Sequence, residues 1–136
     1  MRLLIDGNIL LDVLQKREAH FPASLRIWRL CETGEAQGYV SALTFANLVY
    51  VMRKELQPEQ IREIWRVLGL IFRFTELAPA DLTAAAALGW ADFEDAVQAV
   101  TAERIHADFI LTRNLRDFLQ SPVPAITPAE YLERLG

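Results

Sequence analysis

Arg2-Leu3-Leu4-Ile5-Asp6-Gly7-Asn8 is a short, largely apolar run that ends abruptly in an acid, a glycine and an asparagine. Such a run, followed at once by turn-forming residues, is typical of a buried β-strand that leads into a turn. The apolar residues from Ile9 to Leu14 predict a helix directly after that turn. We therefore expect the chain to begin with a strand, a turn and a helix.

The same alternation of short apolar runs and longer amphipathic stretches continues along the chain. Further strands are predicted at residues 38–41, 71–77, 109–112 and 123–126. The predicted helices begin near residues 22, 43, 58, 79, 92 and 128, four of them at a proline, and three end near Gly34, Gly69 and Gly89. Short strands alternating with helices indicate βαβ units, so the fold class is α/β, with a parallel sheet covered by helices on both faces.

Length and composition indicate one soluble domain over residues 1–136. Cys31 is the only cysteine, which excludes an internal disulfide and fits a cytoplasmic location. No apolar run is long enough to span a membrane. The net charge is −4, with ten basic and eight acidic residues in positions 1–75 and four basic against ten acidic residues in positions 76–136. The acidic second half of the chain can bind a polyanion if its carboxylates hold cations. It can also offer a docking surface to a basic partner, or form a solvated acidic face.

Acidic and amide side chains follow the predicted strands. Asp6 ends the first strand, Thr112-Arg113-Asn114 ends a late one, and Asp117 lies one helical turn further on. Asp95 lies in the first turn of a helix. In open parallel sheets, ligands bind outside the carboxyl ends of the strands. Carboxylates gathered there repel one another unless a cation offsets their charge, and oxygen ligands suit Mg²⁺ or Mn²⁺. This pattern predicts metal-assisted phosphodiester hydrolysis.

Three segments resemble PIN domains, in the order in which that family has them. Ile5-Asp6-Gly7-Asn8-Ile9-Leu10-Leu11-Asp12 resembles the family's D-x-N opening. Asp95-Ala96-Val97-Gln98-Ala99-Val100-Thr101-Ala102 is similar to its D-A-x-I-A-A-x-A helix. Leu111-Thr112-Arg113-Asn114-Leu115-Arg116-Asp117-Phe118 resembles its late T-R-N-x-x-D-F segment. The resemblance extends to Thr127-Pro128 and therefore covers nearly the whole chain.

The resemblance implies a three-layer fold with a five-stranded parallel sheet. It also implies an Mg²⁺- or Mn²⁺-dependent endoribonuclease, because many members are toxins of toxin–antitoxin pairs of the VapC type, which often form homodimers. RNA and an antitoxin protein are then the expected partners. The catalytic and metal-binding carboxylates would be Asp6, Asp95 and Asp117. The supporting residues would be Asn8, which braces Asp6, and Thr112 and Asn114, which would bond to the carboxylates, a water or the metal.

Asn47 departs from the family pattern, which usually has a glutamate in the helix after the second strand. An amide oxygen can bind a metal, but it brings no charge and is a poor base. We therefore expect weaker metal binding and lower or absent nuclease activity. Asp12 or Asp92 could compensate, and Asp92 is the better candidate because it lies three residues before Asp95; Asp12 fits a surface acid. Arg113, beside the expected site, is the best candidate for a phosphate contact.

Two alternatives to the nuclease arise from the same residues, and the sequence argues against the second of them. The first is a catalytically weakened PIN-like module that binds RNA or a protein partner, an alternative that Asn47 sustains. The second is a phosphoryl-transfer domain of the response-regulator or haloacid-dehalogenase type, which also has an aspartate after the first strand. That type would call for a lysine after a late strand, and the last lysine of this chain is Lys54.

Overall fold

Five parallel strands form the centre of the structure, a computed structural model that describes residues 1–136. The strands are β1 (Arg2–Ile5), β2 (Gln37–Ser41), β3 (Arg73–Thr75), β4 (Phe109–Leu111) and β5 (Ala125–Ile126). They lie in the order β3-β2-β1-β4-β5, and every neighbouring pair is parallel. In the register of the sheet, Leu4 of the central strand pairs with Tyr39 on one side and Ile110 on the other.

Seven α-helices and one short 3₁₀ helix connect and follow the strands. They are α1 (Gly7–Leu14), α2 (Phe21–Glu32), α3 (Ala42–Val51), α4 (Pro58–Ile71), α5 (Pro79–Leu88), α6 (Phe93–Arg104), the 3₁₀ helix (Leu115–Phe118) and α7 (Pro128–Leu135). A proline lies in the first turn of α2, α4, α5 and α7, where its missing N–H would have no partner in any case. No helix is both long enough and apolar enough to cross a bilayer.

The helices cover both faces of the sheet, as the alternation of side chains along β1 requires. Leu3 and Ile5 point to one face and pack in the main core with α1, α2, α3, α4 and α7. Leu4 points to the opposite face and packs with Ala102 of α6 and Ile110 of β4. This arrangement confirms the predicted α/β fold class, with a five-stranded parallel sheet between two helical layers.

Two predicted element boundaries were wrong. Helix α4 continues past Gly69 to Ile71, and β3 is correspondingly shorter than predicted. Leu68 is fully buried in the main core, and its carbonyl accepts a hydrogen bond from Phe72, so packing keeps this turn helical despite the glycine. By contrast, Gly34 and Gly89 adopt positive φ angles of 84° and 69° just beyond the ends of α2 and α5, as expected of helix-ending glycines.

The topology creates one crevice at the carboxyl ends of β1 and β4. From β1 the chain moves outward to β2 and β3, and then returns to the other side of β1 to form β4 and β5. The amide of Asp6 donates to the carbonyl of Leu111, so the two strands remain joined at this edge. Parallel sheets bind ligands where the strand order reverses in this way. Asp6 and Thr112 are the first residues beyond the two strands.

Candidate active site

Asp6 is held by hydrogen bonds to both of its carboxylate oxygens. Thr112 Oγ1 donates to Oδ2 at 2.7 Å, and Asn8 Nδ2 donates to the same oxygen at 3.3 Å. The Gly7 amide donates to Oδ1 at 2.9 Å, and Gln98 Nε2 lies 3.4 Å from that oxygen. These donors orient the carboxylate at the carboxyl end of β1, which is the position that the sequence predicts for it.

Two opposing effects act on the pKa of Asp6. Burial raises it most, because the surrounding protein displaces the water that would solvate a negative charge. The hydrogen bonds from Thr112, Gly7 and Gln98 lower it, and the nearby carboxylate of Asp117 raises it slightly. The net pKa lies above the ordinary value. A cation next to Asp6 would therefore stabilise the charged form of its carboxylate.

Asp95 lies in the first turn of α6, where the Asp92 side chain caps the helix by accepting from the Asp95 amide at 3.0 Å. Its pKa is raised to about 7, first by partial burial and then by the charges of neighbouring acids, in decreasing order Asp92, Asp117, Asp6 and Glu94. Asp92 is thus a capping residue that adds to the negative potential at Asp95. Carboxylates that repel one another in this way are typical of sites that bind cations.

The three predicted metal ligands lie around two adjacent hollows rather than one. Asp6 and Asp95 line the first hollow, of about 160 Å³, between α1, α3 and α6, together with Asn47 and Gln98. Asp95 also lines the second hollow, which contains Asp117 from the 3₁₀ helix. No three acidic, histidine or cysteine side chains lie close enough together to form a ready-made metal site. Asp6 and Asp117 line different hollows and Asp95 lines both, and the three carboxylates are close enough to raise one another's pKa.

The donors around the first hollow fit a hard divalent cation. They are carboxylate and carboxamide oxygens, which suit Mg²⁺ and Mn²⁺, and no thiol or imidazole is among them. The carboxamide oxygen of Gln98 is buried and has no hydrogen-bond donor. A buried acceptor without a partner is costly, by about 1–3 kcal/mol, and a cation would remove that cost.

Residues after β4 support Asp6 in part as predicted. Thr112 Oγ1 donates to Asp6, and accepts from Asn8 Nδ2 at 3.2 Å and from the Asn114 amide at 3.1 Å. Asn114 thus contributes its main chain, whereas its side chain is exposed and lines neither hollow. Asn114 therefore supports Asp6 through its main-chain amide and Thr112, and a bond from its side chain to a water or the metal stays a prediction.

Arg113 and Asp12 differ from their predicted roles. The Arg113 guanidinium donates to both carboxylate oxygens of Asp12, at 2.9 and 3.1 Å, and does not extend towards either hollow. Asp12 is fully buried rather than a surface acid, and Ser24 Oγ also donates to it at 3.0 Å. This ion pair uses the charge of Arg113 within the protein, so Arg113 is not available as a free phosphate contact and Asp12 does not compensate for Asn47.

Gln98 is the residue of this site that sequence reasoning missed. It lies one turn after Asp95 on α6, is 5% exposed, and lines the first hollow beside Asp6. The helix pattern quoted above has isoleucine at this position, and its neighbours Val97 and Ala99 are buried. The signal that the sequence offers for Gln98 is a polar residue within an otherwise apolar stretch of the helix.

The raised pKa of Asp95 predicts a pH-dependent stability. Between 3.8, the ordinary pKa, and about 7 the folded chain retains a proton that the unfolded chain has lost. The unfolded state therefore binds fewer protons in that range, and stability should fall as pH rises through it. We expect the thermal midpoint in chelator to fall less between pH 5 and pH 7.5 in Asp95→Asn than in the wild type. Identical pH profiles would contradict the assignment.

The fold and the site together define a class of protein, the PIN domain. The family model for the PIN domain matches residues 2–116, and the chain belongs to this family. No curated protein sequence is similar enough to give a match.

Solved structures with the same fold come from toxin–antitoxin systems. VapBC2 from Rickettsia felis, bound to a fragment of promoter DNA, has 16% identity and a TM-score of 0.69, covering 93% of this chain and 98% of that one. A toxin–antitoxin complex from Klebsiella pneumoniae has 22% identity and a TM-score of 0.70, covering 93% and 97%. VapBC-1 from nontypeable Haemophilus influenzae has 15% identity and a TM-score of 0.71, covering 95% and 99%. At these identities the likeness establishes the fold.

Proposed function

We propose that this chain is a divalent-metal-dependent endoribonuclease that hydrolyses RNA phosphodiesters. The observation that carries the proposal is the pairing of Asp6 with Asp95 around one hollow at the switch point of the sheet, where burial and then charge repulsion raise the pKa of Asp95 to about 7. The two residues are far apart in the sequence and meet only in the fold. Their arrangement suits a cation and a phosphate more than it suits any neutral ligand.

Asp6 and Asp95 would hold Mg²⁺ or Mn²⁺, with Asp117 contributing from the neighbouring hollow. When bound, such an ion lowers the pKa of a water and offsets charge on a phosphate under attack. The chain's own residues position the carboxylates: Thr112 and Asn8 fix the orientation of Asp6, and the helix cap from Asp92 fixes the first turn that carries Asp95. In the absence of a cation, Asp95 holds a proton for part of the time near neutral pH.

We further propose that the protein is the toxin of a toxin–antitoxin pair in the cytoplasm. The support is the shared fold, which covers at least 93% of this chain and 97% of the relatives described above, all of them solved as toxin–antitoxin complexes. An antitoxin protein is then the expected partner, and RNA the expected substrate. The resemblance of the sequence to VapC-type toxins also favours a homodimer.

A second candidate function is a PIN-like module that binds RNA or a protein partner without efficient cleavage. Asn47 favours it, because this neutral residue lines the first hollow where the family pattern has a glutamate. The hollow therefore has one negative charge fewer than the family pattern implies. Weak metal occupancy would leave the binding surfaces intact and the chemistry slow.

Measuring RNA cleavage by the purified protein and by Asn47→Glu separates the two candidates. We expect the wild type to cleave RNA with Mg²⁺ or Mn²⁺ but not with chelator, and Asn47→Glu to cleave several times faster because it adds a carboxylate to the hollow. Ala46→Glu is the matched control, since it adds the same charge at the neighbouring exposed position of α3. Cleavage by Asn47→Glu alone would favour the binding module. Cleavage by neither protein would contradict the nuclease proposal.

A further inference from the structure

Gln98 has an unusual environment for a buried glutamine. Its side chain is 5% exposed, and its Nε2 group lies 3.4 Å from Asp6 Oδ1. Its Oε1 atom is buried and receives no hydrogen bond. Buried side-chain oxygens in folded proteins nearly always have a donor, so this one indicates a missing partner.

Turning the Gln98 carboxamide over would not give both of its polar atoms a partner. If the group turned over, Oε1 would face the Asp6 carboxylate, and two acceptors would lie against each other without a proton between them. The amino group would then be the part without a partner. A cation close to both residues satisfies the Gln98 oxygen and the Asp6 carboxylate together, because each oxygen can bind it directly.

The surroundings of Gln98 suit a cation more than a hydrogen-bond donor. Asp6 and Asp95 line the same hollow, and Asn47 faces it from α3. None of these residues is positively charged, and each offers at least one oxygen. With Asn8 and Glu94, which also line it, the hollow presents three carboxylates and three carboxamides, an oxygen-rich and acidic set that suits a divalent ion.

We propose that Gln98 is an oxygen ligand of the divalent cation, which therefore occupies the first hollow rather than the second hollow beside Asp117. The inference rests on the metal site of the proposed function and adds a ligand to it. Gln98 takes up part of the role that a glutamate at position 47 would have. It binds through a neutral oxygen and from a different helix.

Calorimetric titration of Mn²⁺ into the wild type and two Gln98 variants tests the proposal. Gln98→Met preserves the volume but removes the oxygen, and we expect Mn²⁺ to bind about tenfold more weakly. Gln98→Glu adds a charge at the same place, and we expect about tenfold tighter binding. The matched control is Gln120→Met, which makes the same change in the second hollow and should leave the affinity unchanged.

The melting temperature in the presence of chelator is a second measurement. Each Gln98 variant should change in it in the direction opposite to its change in Mn²⁺ affinity. Gln98→Met removes a buried oxygen that has no partner and loses only the long 3.4 Å contact of Nε2 with Asp6, so the metal-free variant should melt at or above the wild-type temperature. Gln98→Glu adds a carboxylate beside Asp6 and should melt lower. In the wild type, addition of Mg²⁺ should shift the side-chain carboxamide resonances of Gln98 in NMR spectra, and those of Gln120 should not move.

The outcomes also separate this inference from the proposed function. Unchanged Mn²⁺ affinity in Gln98→Met, with normal binding by the wild type, would overturn the role of Gln98 and leave the metal site standing. Weaker binding in Gln120→Met instead would overturn it by locating the cation beside Asp117. A wild type that binds no Mn²⁺ would overturn both the inference and the proposed function.

Discussion

RNA cleavage is expected to fall by on the order of 100-fold or more when Asp6 is replaced by asparagine. A bound divalent cation contributes several kcal/mol of transition-state stabilisation, and each 1.36 kcal/mol corresponds to a factor of ten in rate. Asp6 is the best oriented carboxylate of the site, with donors on both oxygens. Asparagine retains an oxygen that can accept from Gly7, so the fold should persist while the charge is lost. Initial rates of cleavage at saturating Mn²⁺ provide the measurement.

Asp108→Asn is the matched control for this variant. Asp108 lies just before β4, at the opposite edge of the sheet, where its carboxylate accepts from the Arg2 amide at 2.8 Å. The same chemical change there should leave the cleavage rate unchanged. Cleavage that persists in Asp6→Asn, or that falls equally in Asp108→Asn, would contradict the assignment of the site.

The largest loss of stability is expected from Asp12→Ala. Asp12 is fully buried and receives two hydrogen bonds from Arg113 and one from Ser24. Removing one partner of a buried ion pair costs about 3–5 kcal/mol. Because the Arg113 side chain is 25% exposed and can regain water, we expect the free energy of unfolding to fall by about 2–3 kcal/mol. Urea denaturation with chelator present measures this change.

The control for Asp12→Ala is Glu63→Gln, which breaks the exposed ion pair between Glu63 and Arg66. Exposed pairs contribute little, so its denaturation midpoint should stay close to that of the wild type. The Arg113 amide also donates to Asn8 Oδ1 at 3.3 Å, so the loss of Asp12 should loosen a residue that orients Asp6. A midpoint for Asp12→Ala equal to that of Glu63→Gln would contradict the role of the buried pair.

Much of the fold could be predicted because local signals and packing agree. The run that forms β1 is apolar on both faces, as a central parallel strand requires, and it stops at Asp6. The prolines that begin α4 and α5 lie where helices tolerate them. The end of α4 could not be predicted, because burial of Leu68 outweighs the local preference of Gly69.

The candidate site was predictable to the extent that its residues end strands or begin helices. Asp6 and Thr112 come together because β1 and β4 are neighbours. Asp95 lies near them because α6 packs against both strands. The division into two hollows was not predictable. It depends on where the 3₁₀ helix places Asp117 relative to α6, which is a matter of tertiary packing.

The contacts that could not be predicted from the sequence are those between side chains far apart in the chain. Asp12 and Arg113 are 101 residues apart, and neither residue alone indicates a partner. Gln98 and Asp6 are 92 residues apart. A charged residue on a helix is usually solvated, so burial of Asp12 became apparent only when α1, α2 and the segment after β4 were seen together.

Calorimetric titration of Mn²⁺ at pH 7.5 into the wild type and Asp95→Asn tests the central claim most directly. Asp95 lines both hollows, so it should contribute to the binding of a cation in either of them. We predict that the wild type binds Mn²⁺ and releases protons on binding, and that Asp95→Asn binds far more weakly with less proton release. Equal affinity and equal proton release in the two proteins would show that these acids do not hold the metal.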